Sequence, residues 1–141
     1  TQEVTIKLIN LSENHSMNEL IDSCLVKNKK KTIKILNENN FNSEDSILIV
    51  RTFLNKLKRI LKLTEELEKN RNIELTLSSA KPPIFWKDKE TTKQQLTIWK
   101  TYKIKELIYN LNEIELHIKK NIKNSIALIT NFILEQASVK N

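Results

Sequence analysis

The chain of 141 residues contains no glycine, only two prolines and a single cysteine. Walker-type phosphate loops and dinucleotide fingerprints need glycine where the backbone approaches a phosphate, so the sequence excludes both. Tight hairpins built on Asn-Gly or Asp-Gly are disfavoured for the same reason. One cysteine, Cys24, cannot form an internal disulfide and favours a reducing, intracellular compartment. No strictly apolar run exceeds four residues, whereas a membrane span needs about 20.

Lysine, isoleucine and asparagine dominate what is present, with 21, 19 and 17 residues. The formal net charge is +7 and the isoelectric point is near 9.5. A basic surface suggests a polyanionic partner, but all three residue types have A/T-rich codons, so genome composition explains much of the lysine. Only three residues are arginine, the better reader of phosphates and bases. The charge therefore favours a solvated lysine-rich surface over a specific nucleic-acid face.

The hydrophobic pattern predicts an all-α fold, a compact bundle of about five to six helices. The first helix is predicted to begin at Ser16, which can form a capping box with Glu19. Cys24 lies on the apolar face of this helix, so we expect a buried core thiol rather than a nucleophile. The apolar face as a whole contains Met17, Leu20, Ile21, Cys24 and Leu25.

A second helix is predicted from Asn28, its cap, to about Asn39. The expected inward residues are Ile33, Ile35 and Leu36. Three lysines occupy its first turn, where the helix dipole disfavours cations. This placement indicates either a bound anion or a tolerated, exposed turn, and the second interpretation is favoured.

The longest predicted helix begins at Asn42 or Ser43 and extends to about Lys69. Apolar residues recur at spacings of three and four, which is typical of an amphipathic helix. A second apolar stripe beside the first indicates burial against more than one neighbour. The polar strip contains no acid between Asp45 and Glu65; it carries Arg51, Asn55, Lys58, Arg59 and Lys62.

The second half of the chain is predicted to contain three more helices after a less regular stretch over residues 70–85, for which we expect a helical turn or irregular packing. The prolines at 82 and 83 direct the chain into a helix from about Phe85 to Lys100. A strong helix follows from Tyr102 to about Lys123, and the last begins at Asn124 or Ser125. The near all-round apolarity of the last helix indicates a central or oligomer-facing position.

The sequence offers no set of residues for a catalytic or metal site. Neither His15 nor His117 has a His or Cys partner three or four residues away, as a zinc site would need. Cys24 has no histidine near it in sequence. Glu113 and Glu115 point to different faces of their helix. We therefore predict no catalytic residue, no metal ligand and no cofactor.

Four aromatic residues cluster in the second half: Phe85, Trp86, Trp99 and Tyr102. Exposed beside lysines, such side chains could stack on nucleic-acid bases. Their spacing favours packing in the core or at an interface instead.

Four segments follow one another along the chain: MNELIDSCLVKNKKKTIKIL (17–36), SEDSILIVRTFLNKLKRILKL (43–63), KPPIFWKDKETTKQQLTIW (81–99) and LIYNLNEIELHIKKN (107–121). This order resembles the C-terminal domain of the delta subunit of the bacterial DNA polymerase III clamp loader. The family usually has Asp or Gly near Lys27-Asn28, where Asn can still cap. The residues that match the family pattern are Arg51, Pro82, Pro83, Phe85, Trp86, Trp99, Glu115 and Lys119.

The resemblance covers about residues 15–135 and implies a helical collar domain over residues 15–138. In that family five related subunits form a ring through such domains, the N-terminal domain of delta opens the sliding clamp, and other subunits hydrolyse ATP. The resemblance therefore implies a non-catalytic anchor for delta, a subunit of a DNA polymerase holoenzyme, in the bacterial cytoplasm during DNA replication. Its partners would be the other clamp-loader subunits, with the sliding clamp reached only through the missing N-terminal domain. Residues 1–14 resemble the end of a preceding lid domain, and 139–141 are a polar tail.

A basic all-α nucleic-acid-binding module is the alternative. It would use the lysines of residues 27–34, 56–62 and 81–105. Binding through phosphates predicts that log K falls by about 0.9 per phosphate neutralised on duplex DNA, plotted against log salt concentration. A collar predicts contacts that depend mainly on apolar burial.

Overall fold

The computed structural model describes residues 15–138, and these form seven α-helices and no strand. The predicted all-α fold is confirmed. The predicted tails, 1–14 and 139–141, lie outside the described residues. The helices are α1 (15–25), α2 (Lys29–Asn39), α3 (Ser46–Asn70), α4 (Ile73–Ser78), α5 (Lys89–Ile98), α6 (Thr101–Lys120) and α7 (Ser125–Ala137). Short 3₁₀ turns precede three of them, at Ser43–Asp45, Trp86–Asp88 and Ile122–Asn124.

Helix α3 is the centre of the fold, because it packs against α4, α5 and α7 and most extensively against α6. Its 25 residues span about 37 Å. Both predicted apolar stripes contribute buried side chains, which lets α3 support helices on more than one side. The buried apolar residues of α3 are Ile49, Val50, Phe53, Leu54, Leu57, Ile60 and Leu63.

The sequence predicts that the longest helix begins at Asn42 or Ser43, but a 3₁₀ turn capped by Asn42 occupies Ser43–Asp45 and α3 begins at Ser46. The side chain of Asn42 accepts hydrogen bonds from the backbone N–H groups of Glu44 and Asp45, and Asp45 accepts one from the N–H of Asn42. This reciprocal capping box satisfies backbone donors that a helix N-terminus otherwise leaves without partners.

Three residues take the left-handed conformation that usually belongs to glycine. Lys27 follows α1 with φ of 60°, Asn40 ends α2 with φ of 46°, and Arg71 ends α3 with φ of 54°. The left-handed region costs roughly 1–2 kcal/mol for an ordinary residue and less for Asn. In this chain without glycine, the backbone N–H groups of Lys27 and Arg71 still cap the helix ends by donating to the carbonyls of Cys24 and Leu67.

The first two helices correct two predictions. The apolar face of α1 is buried as predicted, but residue 15 is already helical, so α1 does not begin at Ser16. Helix α2 buries Thr32 and Ile35, whereas Ile33 faces solvent, contrary to prediction. The hydroxyl of Thr32 explains the difference: it hydrogen-bonds Ser23 Oγ at 3.1 Å, and this polar pair sets the side of α2 that meets α1.

Helices α5 and α6 end earlier than predicted. Helix α5 ends at Ile98, because Trp99 adopts an extended conformation, and α6 ends at Lys120. Helix α7 begins at Ser125 as predicted and packs the ring of Phe132 on Phe53 with centroids 5.9 Å apart. Leu128 faces solvent, so α7 is not enclosed on all sides. Within residues 15–138, the search for a helix long and apolar enough to cross a bilayer finds none.

Candidate functional site

The only cysteine of the chain lies in the core, as predicted. Cys24 is fully buried on α1, and its Sγ–H donates to the backbone carbonyl of Ile133 at 3.3 Å. Burial raises the pKa of the thiol to about 12, although the charge of Lys27 partly opposes the shift. Because the thiolate is the nucleophilic form, Cys24 is unreactive near neutral pH.

The two histidines lie at the surface of different helices. His117 is exposed on α6, and His15 lies 3.5 Å from Glu19 at the surface. Over the described residues, no three His, Cys, Asp or Glu side chains come together as a metal site.

The residues predicted from the family resemblance fall in separate places. Pro82, Pro83, Phe85 and Trp86 form an exposed segment beside α3, while Trp99 is buried. Arg51 is exposed on α3. On α6, Lys119 Nζ lies 3.1 Å from Glu115 Oε1, which is the predicted i, i+4 pair.

Trp99 packs in the core and ties three helix ends together. Its indole Nε1–H donates to the carbonyl of Leu25 at 2.6 Å, at the end of α1. Lys27 Nζ lies 4.5 Å from the centroid of the indole ring, a cation–π contact. The same ammonium donates to the carbonyls of Gln136 at 3.0 Å and Ser138 at 3.3 Å, at the end of α7. This arrangement confirms core packing for Trp99.

Phe85, Trp86 and Tyr102 are 77%, 78% and 64% exposed, so they do not pack in the core of this chain, and packing at an interface stays a prediction for them. Phe85 adopts an extended conformation, so the predicted helix begins one residue later as a 3₁₀ turn. The guanidinium of Arg59 on α3 donates to the carbonyl of Pro82. That bond holds the segment along the surface of α3, and the two aromatic side chains after the prolines point outward.

Two adjoining clefts lie on this surface, and both are lined by Arg59 and Pro82. The first, of about 540 Å³, also contains Lys56 and Phe85. The second, of about 440 Å³, also contains Lys58, Lys62 and Lys81. We call the outer part of this surface the basic-aromatic face and define it by Lys58, Arg59, Lys62, Lys81, Phe85 and Trp86.

Positive charge on the basic-aromatic face is largely uncompensated. Lys58 and Lys62 lie on the acid-free strip of α3, and Lys81 begins the proline segment. None of these three lysines forms an ion pair with a carboxylate in the part of the chain that the structure describes. Glu66 and Asp88 are the acids that line the clefts, one in each.

A second exposed surface lies on α6 and was missed by the sequence predictions. Tyr102, Tyr109 and Leu116 are 64%, 66% and 53% exposed. Helical geometry places this α6 stripe opposite the side that packs on α3. These three residues are spaced seven apart in the sequence, and that interval could have indicated that they share one face of the helix. Charges of both signs flank the stripe: Lys105, Glu106, Glu113 and Lys120.

Comparison of the sequence and the structure with protein-family models, curated proteins and solved structures finds no match. The features of the chain that bear on function are the basic-aromatic face, the α6 stripe and the order of the four segments.

Proposed function

We propose that residues 15–138 are a non-catalytic assembly domain, the helical collar of a delta-type subunit of a bacterial clamp loader. In this role the domain anchors its subunit in the ring that loads the sliding clamp on primed DNA in the bacterial cytoplasm. The order of the four segments supports the family. The α6 stripe is the observation that supports assembly, because it offers large apolar side chains that the described fold leaves uncovered.

The α6 stripe has the dimensions of a helix-docking surface. Tyr102 and Leu116 are 14 residues apart, which corresponds to about 21 Å along the helix axis. Tyrosine is enriched at protein interfaces because it buries a large ring and keeps a polar hydroxyl. The proposed occupant is a helix of a neighbouring loader subunit.

The flanking charges support a protein partner for the α6 stripe. Lysines and glutamates border the stripe together, so no single sign of charge dominates there. Mixed charges at the rim can select the register of a partner helix through complementary pairs. Because the opposite side of α6 packs extensively on α3, the stripe is presented on a rigid element.

Reconstitution with purified clamp-loader subunits of the source organism tests the proposal. The full chain is mixed with the loader ATPase subunit after nuclease treatment, and co-elution is measured by size-exclusion chromatography at low and high salt. We expect a stable complex that persists at high salt. Tyr109→Glu combined with Leu116→Glu should abolish it, because two charges would be buried without partners.

Trp86→Glu is the matched control for Tyr109→Glu, since it places one glutamate at another exposed aromatic residue, which lies outside the stripe. Thermal unfolding of each variant, followed by circular dichroism, checks that the fold is intact. Absence of co-elution for the unmodified chain at every salt concentration would contradict the clamp-loader proposal.

A further inference from the structure

The basic-aromatic face combines two chemical groups that the proposed collar function does not use. Phe85 and Trp86 present two adjacent aromatic rings to solvent, and Lys87 Nζ lies 5.7 Å from the centroid of the Trp86 ring. Arg59 and Pro82 line both clefts, so the cleft that contains Phe85 adjoins the cleft that contains Lys58, Lys62 and Lys81. Aromatic faces and ammonium groups side by side match a ligand that alternates flat bases with phosphates.

We propose that the basic-aromatic face binds single-stranded nucleic acid, with unpaired bases stacking on Phe85 and Trp86 and the backbone phosphates lying against Lys58, Lys62 and Lys81. This inference goes beyond the proposed assembly function and does not depend on it, since it uses a different surface. Stacking on aromatic side chains and a positively charged groove are the two elements of sequence-tolerant single-strand binding.

The exposed rings favour a single strand over a duplex. Bases in a duplex are stacked on each other and present only their edges in the grooves, so they cannot stack on a side chain unless the duplex is unwound. Charge complementarity favours a nucleic acid over a neutral protein surface. An apolar protein partner would have to bury Lys58 and Lys62 without carboxylates, which is costly.

The segment that carries the aromatic rings is held in place before a ligand arrives. The two prolines restrict the backbone, and Arg59 joins the carbonyl of Pro82 to the rigid helix α3. A preorganised site loses less conformational entropy on binding. Lys56 is not assigned to the phosphates, because its ammonium lies 2.9 Å from Asp22 Oδ1.

Binding of a fluorescein-labelled oligothymidylate of about 12 nucleotides to the full chain tests the proposal by anisotropy. The affinity should fall as salt rises, with a slope in log K against log salt of about −0.7 per phosphate contacted. Tryptophan emission is a second readout. Trp86 is exposed and Trp99 is buried, so stacked bases should quench the Trp86 part of the emission alone.

Two sets of variants locate the site. Trp86→Ala should weaken oligothymidylate binding by roughly 5- to 140-fold, the range for loss of one stacked base. Its control is Tyr109→Ala, an equally exposed aromatic on α6, which should leave the affinity unchanged. Lys58→Gln combined with Lys62→Gln should reduce the salt slope by about 1.4, whereas the same change at Lys103 and Lys105 should not.

Several outcomes would overturn the proposal. The first is that the full chain does not bind oligothymidylate at roughly 50 mM salt. The second is that Trp86→Ala binds oligothymidylate as tightly as the unmodified chain does. The third is that the chain binds a polyglutamate peptide as tightly as oligothymidylate, which would show a response to charge alone. Stronger binding of a blunt duplex than of the single strand would also overturn it. Oligouridylate in place of oligothymidylate distinguishes RNA from DNA as the preferred strand. The Tyr109→Glu complex assay reports on assembly separately, so failure of one proposal leaves the other measurable.

Discussion

The two tryptophans lie at opposite ends of one stretch of chain and differ completely in surroundings. Trp99 is 6% exposed, with its indole N–H hydrogen-bonded and a lysine over its ring, whereas Trp86 is 78% exposed beside the prolines. The residue type is the same, and both lie next to a helix end. What differs is whether other helices converge on the side chain: the ends of α1 and α7 meet at Trp99, whereas the turn that carries Trp86 lies at the surface against α5. The buried indole is therefore assigned to stability and the exposed indole to binding.

Substitution of the two tryptophans should give the largest contrast. Trp99→Ala should destabilise the fold by about 3–5 kcal/mol, because it removes a buried ring and leaves the carbonyl of Leu25 without its donor. Trp86→Ala should change stability by less than about 0.5 kcal/mol, as expected for an exposed position. Urea unfolding of both variants measures the two values. A similar loss of unfolding free energy in both variants would refute the assignment of Trp99 to stability and Trp86 to binding.

The charge of Lys27 should stabilise the region around the buried Trp99, whereas a lysine at the exposed surface should not stabilise the fold. Lys27→Met should cost about 1–2 kcal/mol, because it removes a cation–π contact and a cation placed on carbonyls at the end of α7. Lys30→Met is the control: that lysine lies in the first turn of α2, where the dipole disfavours a cation, so its loss should not destabilise. Thermal melts at matched pH compare the two variants, and equal losses would contradict the role of Lys27.

The thiol of Cys24 should make the stability of the buried region depend on alkaline pH. Its pKa is raised from 9.0 to about 12 in the fold, so the folded state holds a proton that the unfolded state releases. The contribution is complete below pH 9 and is lost as the pH rises from 9 towards 12. Between pH 7 and 10 the unmodified chain should lose on the order of 1 kcal/mol more than Cys24→Ala does. Parallel pH dependence of the two proteins in urea unfolding would contradict this.

The smallest effect on stability is expected at Arg59, which ties the segment that carries Trp86 to α3. Arg59→Gln removes the donor to the carbonyl of Pro82 and should cost less than about 1 kcal/mol, since the bond is exposed to solvent. Amide hydrogen exchange at Asp88, whose N–H donates to the carbonyl of Phe85 at 2.9 Å, should nevertheless become faster, because the segment is no longer tied to α3. Arg51→Gln, on the same helix and exposed, should leave that exchange unchanged. If both substitutions leave exchange unaltered, Arg59 is not the anchor.

The sequence correctly predicted the features that depend on residue spacing within a single helix. The apolar face of α1, the double stripe of α3 and the start of α7 all follow from spacing and capping residues, which act within one helix. The burial of Cys24 follows from the same spacing. The predicted Glu115–Lys119 pair also depends only on helical geometry.

Predictions failed where the outcome depended on a neighbouring element. Ile33 is the more apolar residue, yet Thr32 faces α1 because its hydroxyl meets Ser23. Phe85 and Trp86 lie outside the core, which residue spacing did not show, because no periodicity operates in a proline segment and Arg59 on α3 sets its course. Tyr109 and Leu116 were missed because a stripe opposite the packed face is visible only once that face is known.

The sequence by itself determined the helical class, the bounds of α2, the start of α7 and the absence of glycine-dependent nucleotide sites, because propensity, periodicity and loop chemistry are local properties of the chain. Tertiary structure alone decided which tryptophan is buried, which lysines lie beside exposed aromatic rings and which side of α6 is uncovered. These properties arise from the convergence of segments far apart in sequence, such as Lys27 with Gln136 and Arg59 with Pro82. Local patterns carry no information about such contacts, because each partner's position is set by the packing of its own helix.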